Sequence, residues 1–416
     1  GLTLTNMSFA LALLQDQANT AEQWLSLEAG VGSVAFIGIP ELTLGADTLS
    51  LEVNQASASG SLVDYSAFDL EIPTGPQSSQ ILGMAASDGE LVRARGAVSL
   101  DAFGFVQAYG EFGFTKQESS VVLEGGESFT AEVLVIGVAN ASGFAGINGG
   151  SADEVGLSLG GLDLGLALIK VKPDGGPADV RTWTSLEASV ETVSFVGLSE
   201  YLTAEVSDLS ININQADDAN ATQAVVDYAG AGSTSLSVQV GDGTNISFGM
   251  EGDRGELIEA AGTFQLTVSE FFRVGGSLAF EKSSREVQLG NGNLVDVDLL
   301  TIGGSGLGGF LGVNPDDADN RIGFTVSGVE FALAILTDQA DSTRVWSSLE
   351  AAVGTATFEG TDRLTLGVSD LTIRINQSAA DGTLVDYSNG ATELTVTTGP
   401  TDSLTYSMDA DDGELV

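Results

Sequence analysis

Positions 314 to 320 read Asn-Pro-Asp-Asp-Ala-Asp-Asn, so Asn314, Asp316, Asp317, Asp319 and Asn320 place five oxygen-bearing side chains within seven residues. That density of carboxylate and carboxamide oxygens is what a hard cation such as Ca2+ requires. Asn148, Asp153 and Glu154 form a sparser version earlier in the chain. These eight residues are the expected metal ligands, with structural Ca2+ as the cofactor; the competing reading is a solvated acidic turn. No EF-hand loop is present, and Gly303-Gly-Ser-Gly-Leu-Gly-Gly309 lacks the aspartate of a calcium-binding nonapeptide repeat.

Three other features have residue types that could do chemistry, each occurring three times. Asp88-Gly89-Glu90 recurs around Gly255-Glu256 and Gly413-Glu414 and reads as an ordinary hairpin turn. The pairs Asn54-Gln55, Asn214-Gln215 and Asn376-Gln377 precede Val63-Asp64-Tyr65, Val226-Asp227-Tyr228 and Val385-Asp386-Tyr387. Each set brackets a polar loop whose Asn and Asp side chains are expected to cap loop backbone; a glycan or ion site there is the alternative. Trp24, Trp183 and Trp346 each begin a Trp-x-Ser-Leu-Glu-Ala motif. A lone Trp at a strand start packs against a core edge, or else offers a sugar-stacking platform. Without histidine or cysteine, Ser-His-Asp, Cys-His and histidine-metal catalysis are excluded. An enzyme also needs one asymmetric site, whereas every notable feature here recurs. The chain is therefore not expected to be an enzyme.

The elements that position these residues are themselves repeated. The first and third copies stay in register at an offset of 322 residues, from Leu2/Phe324 to Tyr65/Tyr387, which implies a unit of about 160 residues. The expected units are residues 1–154, 155–320 and a truncated 321–416. Apolar residues alternate with period two, and helical spacing is nowhere sustained, so each unit is all-β with eight to ten strands. The alternation slips by one residue at Asn6, Gly161 and Gly328, and again between Ala46 and Leu49, the pattern of a β-bulge at residues that tolerate its backbone angles. Long bulged antiparallel strands suit barrel-like or tightly rolled sandwich units; a continuous elongated sheet or solenoid is the alternative.

The chain carries 58 acidic and 14 basic residues, a net charge of −44. Nucleic acid and anionic membranes are poor partners for such a charge, which is best tolerated with counter-cations. No stretch approaches a membrane helix, membrane insertion is not expected, and the chain reads as a segment of something longer. Tandem domain-sized β-units, high acidity, absent cysteine and acidic junctions together resemble the repeat regions of giant secreted bacterial adhesins and surface fibres. The resemblance implies a spacer or scaffold at the cell surface, stiffened by calcium. Its partners would be neighbouring repeats of the same polypeptide, lateral copies or surface glycans. The competing functions are a glycan- or surface-binding adhesive module and an outer-membrane β-barrel.

Overall fold

The structure is a computed structural model and describes residues 2–36, 42–172, 179–199, 201–217, 223–241, 243–269, 271–314, 320–360, 364, 366–388 and 391–415. The long strands in chain order are β1 (Leu2–Gln15), β2 (Gln23–Phe36) and β3 (Leu42–Gln55). A short hairpin follows, β4 (Leu70–Gly75) and β5 (Ser78–Leu82), and then β6 (Leu91–Ala102), β7 (Val106–Val122) and β8 (Ser128–Ile147). The same order returns as β9 (Val155–Val171), β10 (Thr182–Val196) and β11 (Leu202–Ala216), a hairpin β12 (Ser237–Val240) and β13 (Thr244–Ser247), then β14 (Leu257–Val268), β15 (Phe272–Gln288) and β16 (Leu294–Val313). The last strands are β17 (Ile322–Asp338), β18 (Val345–Glu359), β19 (Leu366–Gln377) and the hairpin β20 (Thr395–Thr397) and β21 (Ser403–Thr405). Among the described residues the only helical pieces are short 3-10 turns such as Ala86–Asp88.

The chain is all-β, as the alternation predicts. Fifteen long strands form one antiparallel sheet in which each strand lies beside the next long strand in sequence, and the three hairpins are separate two-stranded sheets. The sheet is not closed: β1 and β19 are its two ends. This corrects the expectation of barrel-like or rolled sandwich units, and the reason lies in the bulges. The predicted slips are real, because Asn6, Thr48, Gly161, Asp208, Gly328 and Asp370 all have φ between 52° and 65°. In β1–β3 and β17–β19, however, they are matched across neighbours. Asn6 lies opposite Gly32 and Gly32 opposite Thr48, and likewise Gly328, Gly354 and Asp370. When adjacent strands take an extra residue at the same level, the phase shifts in all of them and none is lengthened relative to its partner. The bulge that bends a strand against its partner is an unmatched one, two residues against one. Such shifts do occur, at Asp47/Ser50 and Gly275/Ser277.

The described chain falls into two compact units, Gly1–Glu154 with Gly160–Ala188 and Asn214–Asp253, and Val155–Leu159 with Ser189–Ile213 and Arg254–Val416. The first contains two core clusters. One runs from Val121 and Val133 through Ala167, Ile169 and Trp183 to Tyr228, Val238 and Met250; the other holds Ala10, Ala12, Tyr65, Leu82, Met84 and Leu91. The second unit has a core from Val287 and Leu299 through Ala332, Leu336 and Trp346 to Tyr387, Val396 and Met408. Each core lies between sheet strands and the polypeptide that follows Asn54, Asn214 or Asn376, which we call a lobe.

Candidate functional site

The thrice-repeated polar motifs converge on one buried network per lobe. In the second unit the Ser348 hydroxyl donates to Asn376 Oδ1 at 3.2 Å, and Asn376 Nδ2 donates to the Val385 carbonyl at 3.0 Å. The Tyr387 hydroxyl lies 2.8 Å from that of Ser348, and Trp346 Nε1 donates to the Thr383 carbonyl at 2.9 Å. The first unit holds the same arrangement twice. In one, Tyr65 donates to Ser26, Ser26 to Asn54, and Asn54 to the Val63 carbonyl, at 2.9 to 3.0 Å. In the other, Tyr228, Ser185 and Asn214 are linked at 2.8 and 3.1 Å, with Asn214 donating to Val226 at 2.7 Å. A buried Asn is costly unless it is bonded, and here both ends of its amide are used to pin a lobe onto the sheet. The carboxylates of Val-Asp-Tyr close turns: Asp64 Oδ1 accepts from the Ser66 N–H at 3.1 Å and Asp386 Oδ1 from Ser388 at 2.9 Å. These residues therefore cap loop backbone, and each Trp lies at the lobe–sheet border.

The Asp-Gly-Glu segment departs from its expected form. It is not a hairpin turn but the exit of a 3-10 turn, with Gly89, Gly255 and Gly413 at φ of 72°, 65° and 76°. Its Glu reaches back across the lobe: Glu90 Oε1 accepts from the Ala56 N–H at 2.9 Å, and Glu414 Oε1 from Ser378 at 3.4 Å. A further repeated signal precedes it, Gly83-Met84, Gly249-Met250 and Ser407-Met408. Each Met is buried in its core. Its neighbour meets the Glu of the Trp motif: the Gly83 N–H donates to Glu28 at 3.3 Å, the Gly249 N–H to Glu187 at 2.7 Å, and Ser407 to Glu350 at 3.5 Å.

Burial pushes the carboxyls of Glu28 and Glu187 up from the ordinary value, against the pull of the Gly83 and Gly249 N–H groups. The folded chain thus holds these protons more tightly than the unfolded chain. Their contribution to stability is full below the unfolded pKa and is lost as pH rises through the folded one. Glu187→Gln keeps an acceptor for Gly249 but has no charge to desolvate. Its melting temperature relative to the wild type is expected to be more favourable at pH 7 than at pH 4, by thermal melts of both proteins at each pH. A constant difference across that range would mean that Glu187 is not held up by burial.

Three of the 14 basic residues are spent on these lobes. Arg344 pairs with Asp338 at 2.6 Å and Asp381 at 3.0 Å, with its guanidinium 5.0 Å from the Trp346 ring centre. Arg181 pairs with Asp179 and Glu127 at 2.8 and 2.9 Å and stands over Phe129 and Trp183. Arg254 bridges Glu259 and Glu281 at 2.8 and 2.7 Å.

The acidic junction residues lie elsewhere. Asp316, Asp317 and Asp319 fall outside the described residues. Asn148 and Asn314 occupy matching positions just past β8 and β16, with φ of 57° and 58°. Asn148 Nδ2 donates to the Asp153 carbonyl at 3.2 Å and Asn314 Nδ2 to the Asn320 carbonyl at 3.1 Å, so each amide closes its own loop. Glu154 Oε2 accepts from the Gly150 N–H at 3.1 Å. Among the described residues no group of three or more acidic side chains is arranged to hold a metal ion.

The alternation also hides a feature that periodicity alone does not reveal, because cross-strand partners share a face. In the second unit, register aligns Ile373, Ala351, Phe331, Gly304, Leu278 and Gly262 in one row across β19 to β14. The row formed by Leu366, Phe358, Phe324, Leu311, Phe272 and Val268 lies near the opposite end of the same strands. No charged residue enters either row. In the first unit Leu11, Leu27 and Val53 are aligned in the same way, as are Phe9, Ala29, Leu51, Ala94 and Phe114. Large side chains lean over the glycines: a Cβ on Gly304 would meet the Phe331 ring at 2.6 Å and a Leu307 methyl at 2.7 Å. Each unit thus has a sheet face with apolar rows, where charge enters only in rows nearer one end of the strands, as at Lys116 and Lys282, and the lobes stand on the other face.

No family model matches the chain, and no curated protein matches it. Among solved structures, the crystal structure of the siderophore receptor PirA from Acinetobacter baumannii is similar over 90% of this chain and 69% of that one, at 10% identity and a TM-score of 0.18. That score is too low to transfer fold or function from one chain to the other.

Proposed function

We propose that the chain is a structural scaffold segment of a long extracellular surface protein, built from tandem repeats of about 160 residues. The observation that carries this reading is the recurrence of one lobe-pinning network, Trp/Ser/Asn/Tyr, at matched positions in all three copies. The repeated polar chemistry is spent on holding lobes to sheet. The acidic surface calls for counter-ions, and the junction carboxylates, Ca2+-stiffened by this reading, are where a divalent ion acts. A protein of this kind is expected to melt several degrees higher in millimolar Ca2+ than in chelator at equal ionic strength. Equal melting temperatures would remove the ion from the proposal.

A second reading is favoured by one observation, the charge-free apolar rows on the sheet face, which are also what a membrane β-barrel turns toward lipid. The two readings separate in solution. A scaffold segment stays monodisperse without detergent and leaves neutral lipid vesicles in the supernatant on flotation; a membrane sheet does neither.

A further inference from the structure

The second and third lobes each rest on the sheet at two places, the strands that begin their own copy and the two long strands before them. The hairpin β12–β13 packs on β7 and β8, and β20–β21 on β15, β16 and β17. The hairpin β4–β5 packs chiefly on β1 and β2. The cores differ accordingly. The clusters beneath the second and third lobes each hold fifteen buried residues, among them Val121, Val133 and Val135 or Val287, Val297 and Leu299 from the preceding strand pair. The cluster beneath the first lobe holds six and has no such contribution.

The same half is missing at every level. Trp183 and Trp346 are 1% and 0% exposed, whereas Trp24, with the same N–H bond to its lobe, is only half-buried. Leu236, Val238, Leu394 and Val396 are buried, but their counterparts Leu70 and Ile72 are not. In the later lobes the Asp227 and Asp386 N–H groups donate to the Val122 and Gln288 carbonyls at 3.0 and 2.9 Å, and Val226 and Val385 bridge to Leu123 and Leu289. Thr234 and Thr392 clip the same strand ends, accepting from the Val122 and Gln288 N–H groups at 2.8 and 2.7 Å. Among the described residues Asp64 makes no equivalent backbone bond, and Phe68, two positions before Leu70 as Thr392 is before Leu394, is 54% exposed. The outer edge of β1 is unpaired as well.

We propose that the edge of β1 and the open side of the first lobe form a docking site for an antiparallel strand pair of the β15–β16 type, joined ahead of β1 as β16 is joined to β17. The later lobes show what such an occupant must provide. It needs a row of aliphatic residues like Val287, Leu289, Val297 and Leu299 under the lobe, an edge continuing the sheet, and a strand end for Asp64 to bond. A second copy of the chain does not supply it, because its strands of this type are already paired on both sides. The occupant's pattern rests on the repeat reading above, but the site does not depend on Ca2+, so the failure of either shows separately.

Two measurements on the chain as it stands test the site. Amide exchange is expected to be at least tenfold faster across 62–84 than across 225–250 and 384–408. Acrylamide is expected to quench one of the three tryptophans readily and the other two poorly. Equal protection of the three lobes overturns the proposal. Placing residues 271–322 ahead of Gly1 is then expected to slow exchange across 62–84 to the level of the other lobes and to hide Trp24. The same extension with Val287, Leu289, Val297 and Leu299 changed to Ser is expected to do neither. Failure of the first extension to protect the lobe, or equal protection by both, also overturns it.

Discussion

Asn376→Ala is expected to cost about 3 kcal/mol and to loosen the third lobe before the sheet melts. The side chain is fully buried, accepts from Ser348 and donates to the Val385 carbonyl. Alanine removes both partners at once, leaving a buried carbonyl without its donor and a buried hydroxyl without its acceptor. An unsatisfied buried polar group costs about 1–3 kcal/mol, and two members of one network are affected. Water cannot easily replace the amide, because Tyr387 and Tyr406 pack ring to ring at 4.9 Å beside it. Urea denaturation should show the midpoint shift, and amide exchange should place the loss within residues 379–408. If residues 345–377 lose protection equally, the lobe and the sheet are one cooperative unit and the network does not act as a local pin. The same change at Asn54 is expected to cost less, since the lobe it holds has the smallest core.

Gly303→Val is expected to lift the third lobe off the sheet, at about 3 kcal/mol or more. Gly303 lies in β16 beneath the hairpin, and a Cβ there would come within 2.2 Å of the Thr397 carbonyl oxygen and 2.9 Å of the Thr398 Cα. Both are backbone atoms, so no rotamer change relieves the overlap and the hairpin must move as a body. Undocking exposes Val396 and Tyr406, which should appear as increased binding of a hydrophobic dye and a fall in melting temperature. Gly382→Ala is the control: its φ of 79° disfavours any side chain, but nothing lies within 4 Å of the new Cβ. Strain alone costs about 1 kcal/mol there. Similar losses from both variants would mean that Gly303 serves backbone freedom and not close approach. In the first unit Gly137 holds the matching place in β8, and the closest backbone approach falls on its cross-strand partner Gly113 in β7, where a Cβ would meet the Gln239 carbonyl.

Much of the fold was legible because each strand carries its own evidence. Period-two alternation over fourteen or more residues has no helical reading, and the one-residue slips at Asn6, Gly161 and Gly328 coincide with left-handed backbone. The capping role of Asn and Asp was legible from side-chain chemistry. What the slips do to the sheet was not, because it depends on whether neighbouring bulges align, and alignment is a property of two strands. The Asp-Gly-Glu segment was misread for a similar reason: Asp-Gly favours a tight turn locally, but the carboxylate of Glu90 is bound to the Ala56 N–H, far off in sequence. The Gly-Met and Ser-Met pairs were visible as a repeat all along, yet nothing in their spacing says that they face the Glu of the Trp motif.

By itself the sequence determined the all-β class, the one-residue slips at Asn6, Gly161 and Gly328, and the absence of histidine and cysteine chemistry. These follow from residue type and local period, which act within a few residues of the chain. Only the tertiary structure decided that the strands make an open sheet, that its lobe-free face carries rows without charge, and that the second and third lobes are seated on the strand pair before their own copy. Those outcomes rest on register and on contacts between residues a hundred positions apart, such as Val122 with Thr234, whose energies are not written in either segment alone.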